Sequence, residues 1–144
     1  DMIQQNNRST NVLPDTVNEV PAEDAESMSE LFLKVKLLMT DDRLYADPQL
    51  NRESLATAAG SNTVYLANEI KKHTGLTINE FINRYRISHA ARILSENPKM
   101  SIGEVEVVSG FNSRATFSRL FKQHYGMSPT EYRAASISQH KEVN

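Results

Sequence analysis

The sequence has 144 residues, with 16 Lys and Arg against 18 Asp and Glu, a formal net charge of −2, and no cysteine. This length fits one domain or two very small ones. The lack of cysteine excludes disulfide frameworks, thiolate zinc sites, iron–sulfur clusters and cysteine nucleophiles. No apolar run approaches the ~18 residues of a membrane-spanning helix, so we expect no membrane contact by this segment.

The first 28 residues differ in charge from the rest. They carry six acids and one base, a net −5, whereas residues 29–144 carry 15 bases and 12 acids, a net +3. Pro14, Pro21 and the lack of aromatic residues predict that 1–28 is a disordered acidic leader or linker. The sequence shows no signal peptide. Because the chain begins with Asp1 and not with Met, we interpret it as a fragment of a longer protein or a trimmed form of one.

Helix signals dominate the remainder, and no stretch alternates like a half-buried strand. Capping boxes, in which Ser or Thr and a Glu three residues later satisfy backbone N–H groups, mark four helix starts: Ser27/Glu30, Thr77/Glu80, Ser101/Glu104 and Ser128/Glu131. Glycines at 60, 75, 110 and 126 predict helix ends. We therefore expect an all-α domain of about seven helices over residues 29–135. The connecting helix should run from Thr77 to Glu96, and 136–144 should be a polar, frayed tail.

Two stretches of the chain repeat each other. Residues 55–60 match 105–110 at an offset of 50, and beyond the glycine Leu66 matches Phe117 and Ile70 matches Phe121 at an offset of 51. Each copy is a short helix, a glycine turn and a longer helix. This is the pattern of a helix-turn-helix, whose second helix can enter the major groove of DNA.

The polar faces of the two longer helices supply the candidate DNA contacts. With Phe117 and Phe121 pointing inward, arginines on the opposite side suit guanine edges, while in the first copy an asparagine suits adenine. The candidates for base edges are Val64, Ala67, Asn68, Arg114, Ala115, Ser118 and Arg119. The candidates for phosphates are Asn62, Lys71, Lys72, Asn112, Ser113 and Lys122. Asn112 and Ser113 are also alternative caps of the second long helix.

The run from Ile102 to Arg133, with Gly110-Phe111-Asn112-Ser113, Phe117-Ser118-Arg119-x-Phe121-Lys122 and Ser128-Pro129, resembles the AraC/XylS family signature. The first copy resembles the other half of that family's domain in Leu55-Ala56, Tyr65-Leu66, Lys71-Lys72 and the run from Phe81 to Leu94. The resemblance implies a bacterial transcription regulator's DNA-binding domain: two helix-turn-helix units joined by a long central helix, with reading helices near 63–73 and 114–124.

The resemblance also sets the expected partners and setting. They are double-stranded DNA, RNA polymerase and a sensor or effector region of the same longer protein, at the nucleoid in the cytoplasm. The 20-residue connecting helix is about 30 Å long, close to the ~34 Å between major-groove faces one turn apart. Because the two polar faces differ, the DNA site should be asymmetric.

Glu106 departs from the family pattern, which usually has a small residue there, as the repeat partner Ala56 does. An unpaired buried carboxylate is costly. We therefore expect Glu106 to reach solvent or a base such as Arg119, or else the second copy to pack differently.

Other chemistry has little support in the sequence. The four histidines are scattered and none has a second ligand at zinc spacing, so we expect no metal, no cofactor and no enzymatic activity. The alternative to DNA binding is a helical protein-interaction module without DNA contact. Its surface would comprise Phe111, Tyr65 and the apolar pair Val107–Val108.

Overall fold

The structure is a computed structural model that describes the backbone of residues 22–143 and the side chains of residues 30–137. The chain divides into two compact units, Asp1–Lys34 and Val35–Asn144. Within the described part of the first unit, the chain is helical from Ala22 onward. The second unit holds both copies of the sequence repeat and is the subject of the remaining description.

The described part contains seven α-helices, one short 3-10 helix and no strand. This confirms the all-α prediction. The helices are α1 (Ala22–Thr40), α2 (Arg52–Ala58), α3 (Thr63–Thr74), α4 (Ile78–Glu96), α5 (Ile102–Val108), α6 (Arg114–Tyr125) and α7 (Pro129–Val143), with the 3-10 helix at Leu44–Ala46 between α1 and α2.

Three of the four predicted capping boxes are confirmed. Thr77 and Ser101 accept from the N–H groups of Glu80 and Glu104, whose carboxylates accept in return from the cap N–H groups. The Ser128 and Glu131 side chains make the same reciprocal pair at the start of α7. These bonds satisfy N–H groups that a helix start leaves without partners, which explains why the boundaries of α4 and α5 were readable.

The fourth capping box, Ser27/Glu30, is wrong. Helix α1 begins at Ala22, so Ser27 lies inside the helix and is not its cap. The sequence Ala22–Glu26 consists mainly of alanine and glutamate, which are strong helix formers, and this propensity extends the helix into the predicted leader. The rest of that leader, residues 1–21, lies outside the described residues.

The predicted tail also differs from the structure, because α7 continues to Val143. No glycine or proline follows Pro129 to stop it. The proposed domain boundaries at residues 28 and 135 remain predictions.

Helix α4 organises the second compact unit by packing against α3, α5, α6 and α7. Its later turns place Ile87, Ala90, Ala91 and Leu94 in a buried cluster with the second copy, completed by Val105, Phe111, Phe117 and Phe121. Its first two turns bury Ile78, Phe81 and Ile82. The two copies therefore share one central helix, which holds α3 and α6 in place through their apolar sides.

The segment before α2 is tied to the turn of the second copy. The Arg86 side chain on α4 donates from Nε to the Tyr45 carbonyl at 2.8 Å and from Nη2 to the Asp47 carbonyl at 2.9 Å. The Tyr45 carbonyl also lies against Gly110, where an added Cβ would stand 2.1 Å from its oxygen. Gly110 has φ +93°, so both its backbone conformation and its surroundings require glycine.

Candidate nucleic-acid interface

Helix α3 presents the predicted first reading face outward. Asn62 caps the helix, its Oδ1 accepting from the Tyr65 N–H at 2.8 Å, while Leu66 and Ile70 are fully buried on the opposite side. Of the predicted contacts on this helix, Val64 is 71% exposed, Ala67 is half-buried, and the others are exposed: Asn68, Lys71 and Lys72. The face therefore consists of two apolar residues, one amide and two lysines.

Helix α6 presents the second face in the same way. Ser113 is its cap, with Oγ accepting from the Thr116 N–H at 3.2 Å, which decides between the two predicted caps. Phe117 and Phe121 are fully buried. Of the predicted contacts, Ser113 and Ser118 are half-buried and the others are exposed: Asn112, Arg114, Ala115, Arg119 and Lys122.

Both predicted faces are thus polar surfaces at solvent. Helix C-termini favour cations, and the last turns carry Lys71 and Lys72 on α3 and Lys122 on α6. Side-chain capping leaves the side chains of Asn62 and Ser113 engaged at their helix starts. These two residues would contact a phosphate through backbone N–H groups at the helix start, where the helix dipole is positive.

Glu106 is paired with a base, which was one of the expected outcomes, but that base is Arg114 and not the example we named, Arg119. Its Oε1 accepts from Nε of Arg114, and Arg119 forms no ion pair with any of residues 30–137. The Glu106 side chain is 12% exposed and that of Arg114 is 58% exposed. The arginine reaches back from α6 to α5, so the near-buried carboxylate is compensated. Val105 on α5 and Phe117 on α6 remain fully buried.

A buried carboxylate on α3 was missed by the sequence analysis. Glu69 is 1% exposed; its Oε2 lies 2.6 Å from Nε2 of His73, and its Oε1 has no hydrogen-bond partner among the described residues. The repeat carried a signal for this position, because its partner in the second copy is the half-buried Leu120. A carboxylate thus occupies a position whose equivalent is apolar.

A cleft of about 340 Å³ adjoins the first face. It is lined by Ala67, Asn68 and Lys71 of α3, by the start of α4, and by Arg52 of α2. Arg52 was not among the predicted contacts. Its guanidinium is exposed and lies 3.5 Å from the neighbouring Glu53 carboxylate.

The surface expected for the alternative function is only partly present. Val107 and Val108 are 65% and 42% exposed and Tyr65 is 38% exposed, but Phe111 is buried at 5%. Phe111 packs against Phe117 with ring centroids 5.1 Å apart. Its assignment to an interaction surface is therefore wrong, because the turn directs it into the core.

Among the described residues, no group of three or more His, Asp or Glu is arranged to hold a metal ion. His89 is buried on α4, with Nδ1 3.0 Å from the Ser109 hydroxyl. Burial, and then the positive charges of Arg92 and Arg43, lower the pKa of His89 below 6.5. None of the described helices is both long and apolar enough to cross a bilayer.

Comparison with known proteins places this geometry among transcription regulators. The chain matches the helix-turn-helix domain family over residues 55–135. It is 29% identical over 106 residues to the Probable transcription factor PqrA of Proteus vulgaris, covering 74% of this chain and 86% of that protein. It is 31% identical over 106 residues to Histidine kinase P4 of Formosa agariphila, but covers only 8% of that protein.

Solved structures show the same fold. The C-terminal domain of AraT, a response regulator from Geobacillus stearothermophilus, is 25% identical and superposes with a TM-score of 0.64 over 73% of this chain and 84% of that one. The DNA-binding domain of AdpA, solved in complex with a target DNA, is also 25% identical, with a TM-score of 0.62 over 78% of this chain and 94% of that one.

The family match covers both helix-turn-helix copies and the central helix between them. The repeat, the shared α4 and the two outward polar faces are the features that the sequence resemblance led us to expect. The chain therefore belongs to the AraC-type family of helix-turn-helix transcription regulators.

Proposed function

We propose that this chain is the sequence-specific DNA-binding part of a transcription regulator and that it reads two adjacent major-groove segments with α3 and α6. The observation that carries the proposal is the family match over residues 55–135 together with polar, outward faces on both second helices. The DNA-complexed AdpA domain, which shares the fold at a TM-score of 0.62, supports duplex DNA as the ligand.

In this proposal, Arg119 donates hydrogen bonds to O6 and N7 of a guanine, and Asn68 forms hydrogen bonds with N6 and N7 of an adenine. Val64 contacts a thymine methyl group. Ala67, Ala115 and Ser118 allow close approach of the helices to the bases. The remaining contacts go to phosphates, which position the domain without reading sequence: Asn62, Lys71, Lys72, Asn112, Ser113 and Lys122.

Helix α4, at 19 residues, is about 29 Å long, which suits two reading helices about one turn of duplex apart. Because α3 carries Thr63 and Asn68 where α6 carries Arg114 and Arg119, the two half-sites should differ in sequence.

The experiment is selection of bound sites from random duplexes, followed by affinity measurement on the selected site as salt is varied. We expect an asymmetric site and a steep loss of affinity with salt. Lys122→Ala should weaken binding to every duplex and reduce the salt slope by about one. Affinity that is flat in salt and equal for all duplexes would overturn the proposal and favour the protein-interaction alternative, for which the exposed Tyr65, Val107 and Val108 are the surface.

The partners beyond DNA are proposals, supported by the greater length of two relatives. The matched region spans 8% of the histidine kinase and 24% of the Msm operon regulatory protein of Streptococcus mutans. We infer that a sensor or effector region resides elsewhere in the same polypeptide, that RNA polymerase is the target of regulation, and that the protein acts at the cytoplasmic nucleoid. Transcription in vitro with purified polymerase and the selected site tests the polymerase assignment.

A further inference from the structure

The Glu106–Arg114 pair separates the second copy from the first. Glu106 lies in the last turn of α5, and Arg114 is the first residue of α6. The repeat partners of these residues are Ala56 and Thr63, so the first copy has neither charge. Among the two copies, the pair is therefore a feature of the second alone.

The contact holds the arginine against α5. Nε of Arg114 donates to Oε1 of Glu106, and a Cβ added at Gly103 would lie 3.0 Å from Nη2 of the same guanidinium. Gly103 and Glu106 are three residues apart on α5 and so share one face of that helix. Glycine within a helix is destabilising relative to alanine, but here it leaves room for the guanidinium.

The arrangement restricts what Arg114 offers to a ligand. One of its five N–H donors is occupied, and its charge is balanced by a carboxylate that is only 12% exposed. A phosphate that approaches Arg114 must compete with Glu106 and also meets the negative charge of that carboxylate. Arg119, by contrast, forms no ion pair within residues 30–137.

We propose that Glu106 is a positioning residue that sets DNA specificity: it holds Arg114 on α5 and so suppresses its contact with phosphates of unrelated duplexes. The inference rests on the proposed DNA-binding function. Base readout by the second copy then depends mainly on Arg119, and Glu106 lowers affinity for nonspecific DNA more than for the selected site. Arg114, which the sequence placed among the candidates for base edges, then contacts DNA only when it leaves Glu106.

The test is binding of a scrambled 20-base-pair duplex as salt is varied, with Glu106→Ala made both in the natural chain and in an Arg114→Ala background. With Arg114 present, Glu106→Ala should raise scrambled-duplex affinity about fivefold and increase the salt slope by about one, because one more phosphate is contacted. With Arg114 absent, the change should be less than about twofold, since only a carboxylate near the phosphates is removed. Affinity for the selected site should rise less, so selectivity should fall.

Two controls separate the pair from general charge and from folding. Glu96→Ala removes one exposed carboxylate at the end of α4 and should leave the ratio of selected to scrambled affinity unchanged. Glu106→Gln keeps the side-chain shape and should change affinity in the same direction as Glu106→Ala. In the free domain, the NMR resonance of the Arg114 Nε–H should move in Glu106→Gln and stay in Glu96→Ala.

An equal rise in both Arg114 backgrounds, or no rise in either, would overturn this inference while leaving DNA binding intact. Failure of the natural chain to bind any duplex in a salt-dependent way would overturn the proposed function first. The NMR comparison still reports on the pair in that case, because it needs no DNA.

Discussion

The two helix-turn-helix copies have the same framework and different surfaces. Both second helices are 12 residues long, start at a side-chain cap, bury two apolar residues a turn apart and end at a glycine with φ near +76°. The differences lie at single positions. The first copy buries Glu69 where the second has Leu120, and the second pairs Glu106 with Arg114 where the first has Ala56 and Thr63. The two copies thus share the residues that cap, pack and end the helix, and they differ at individual positions that carry charge.

The largest effect should come from Gly110→Ala, which tests whether the second copy's turn is uniquely constrained. The new Cβ would stand 2.1 Å from the Tyr45 carbonyl oxygen at a residue with φ +93°. We expect a loss of about 3 kcal/mol or more in the free energy of unfolding, measured by denaturant titration. Gly126→Ala is the control: it has φ +76° with open space around it and should lose only about 1–2 kcal/mol. Equal losses would show that the Tyr45 contact is unimportant.

Next in size is the contrast between the reading faces. Arg119→Ala should cost about 1–3 kcal/mol of binding free energy and relax preference at one base pair, because a bidentate guanine contact is lost. Its repeat equivalent, Asn68→Ala, should relax preference at a different base pair in the other half-site. Binding isotherms on the selected site and on single-base variants measure both. If the two substitutions affect the same base pair, the two-half-site reading is wrong.

The buried carboxylate of the first copy supplies a third comparison. Glu69→Leu installs the residue of the second copy and removes Oε1, which has no hydrogen-bond partner among the described residues. We expect the free energy of unfolding to rise by about 1 kcal/mol, because an unsatisfied buried polar atom is eliminated. The reverse change, Leu120→Glu, should lower it. Destabilisation by Glu69→Leu would mean that the Glu69–His73 contact stabilises the first copy.

The smallest expected effect is a pH dependence carried by His89, which joins α4 to the end of α5. Its pKa is lowered in the folded protein, chiefly by burial, so the unfolded chain binds the proton more readily. Stability contributed by neutral His89 is present above pH 6.5 and is lost as the pH falls from there toward the lower folded pKa. Thermal unfolding at pH 7.5 and 5.5 should therefore differ less in His89→Gln than in the natural chain. An unchanged difference would place the pH dependence on other groups.

Local signals explain how much of the fold was predictable from sequence. Capping residues and turn glycines act over three or four residues, so the start of α4 at Ile78 followed from sequence, and the cap of α6 was narrowed to Asn112 or Ser113 before the structure identified Ser113. The start of α1 did not follow from sequence. The Ser27-x-x-Glu30 pattern looks like a capping box, but it occurs inside a helix that begins at Ala22 with strong helix formers. The periodicity also placed Arg119 and Asn68 outward.

Contacts between elements were beyond sequence reasoning. The choice between Arg119 and Arg114 as partner of Glu106 depends on which side chain reaches α5, and the turn alone does not specify it. The burial of Phe111 depends on the turn geometry, and the burial of Glu69 required the packing of α3 on its neighbours.

The hydrogen bonds from Arg86 to the carbonyls of Tyr45 and Asp47, and the contact of Gly110 with that same Tyr45 carbonyl, join the segment before the first copy to α4 and to the turn of the second copy. Duplicated sequence therefore does not yield interchangeable modules. A fragment cut between the copies would lose either the linker that Gly110 supports or the turn that the linker covers. Recombination of half-domains among relatives should consequently succeed only when the 45–47 linker, Arg86 and Gly110 are inherited together.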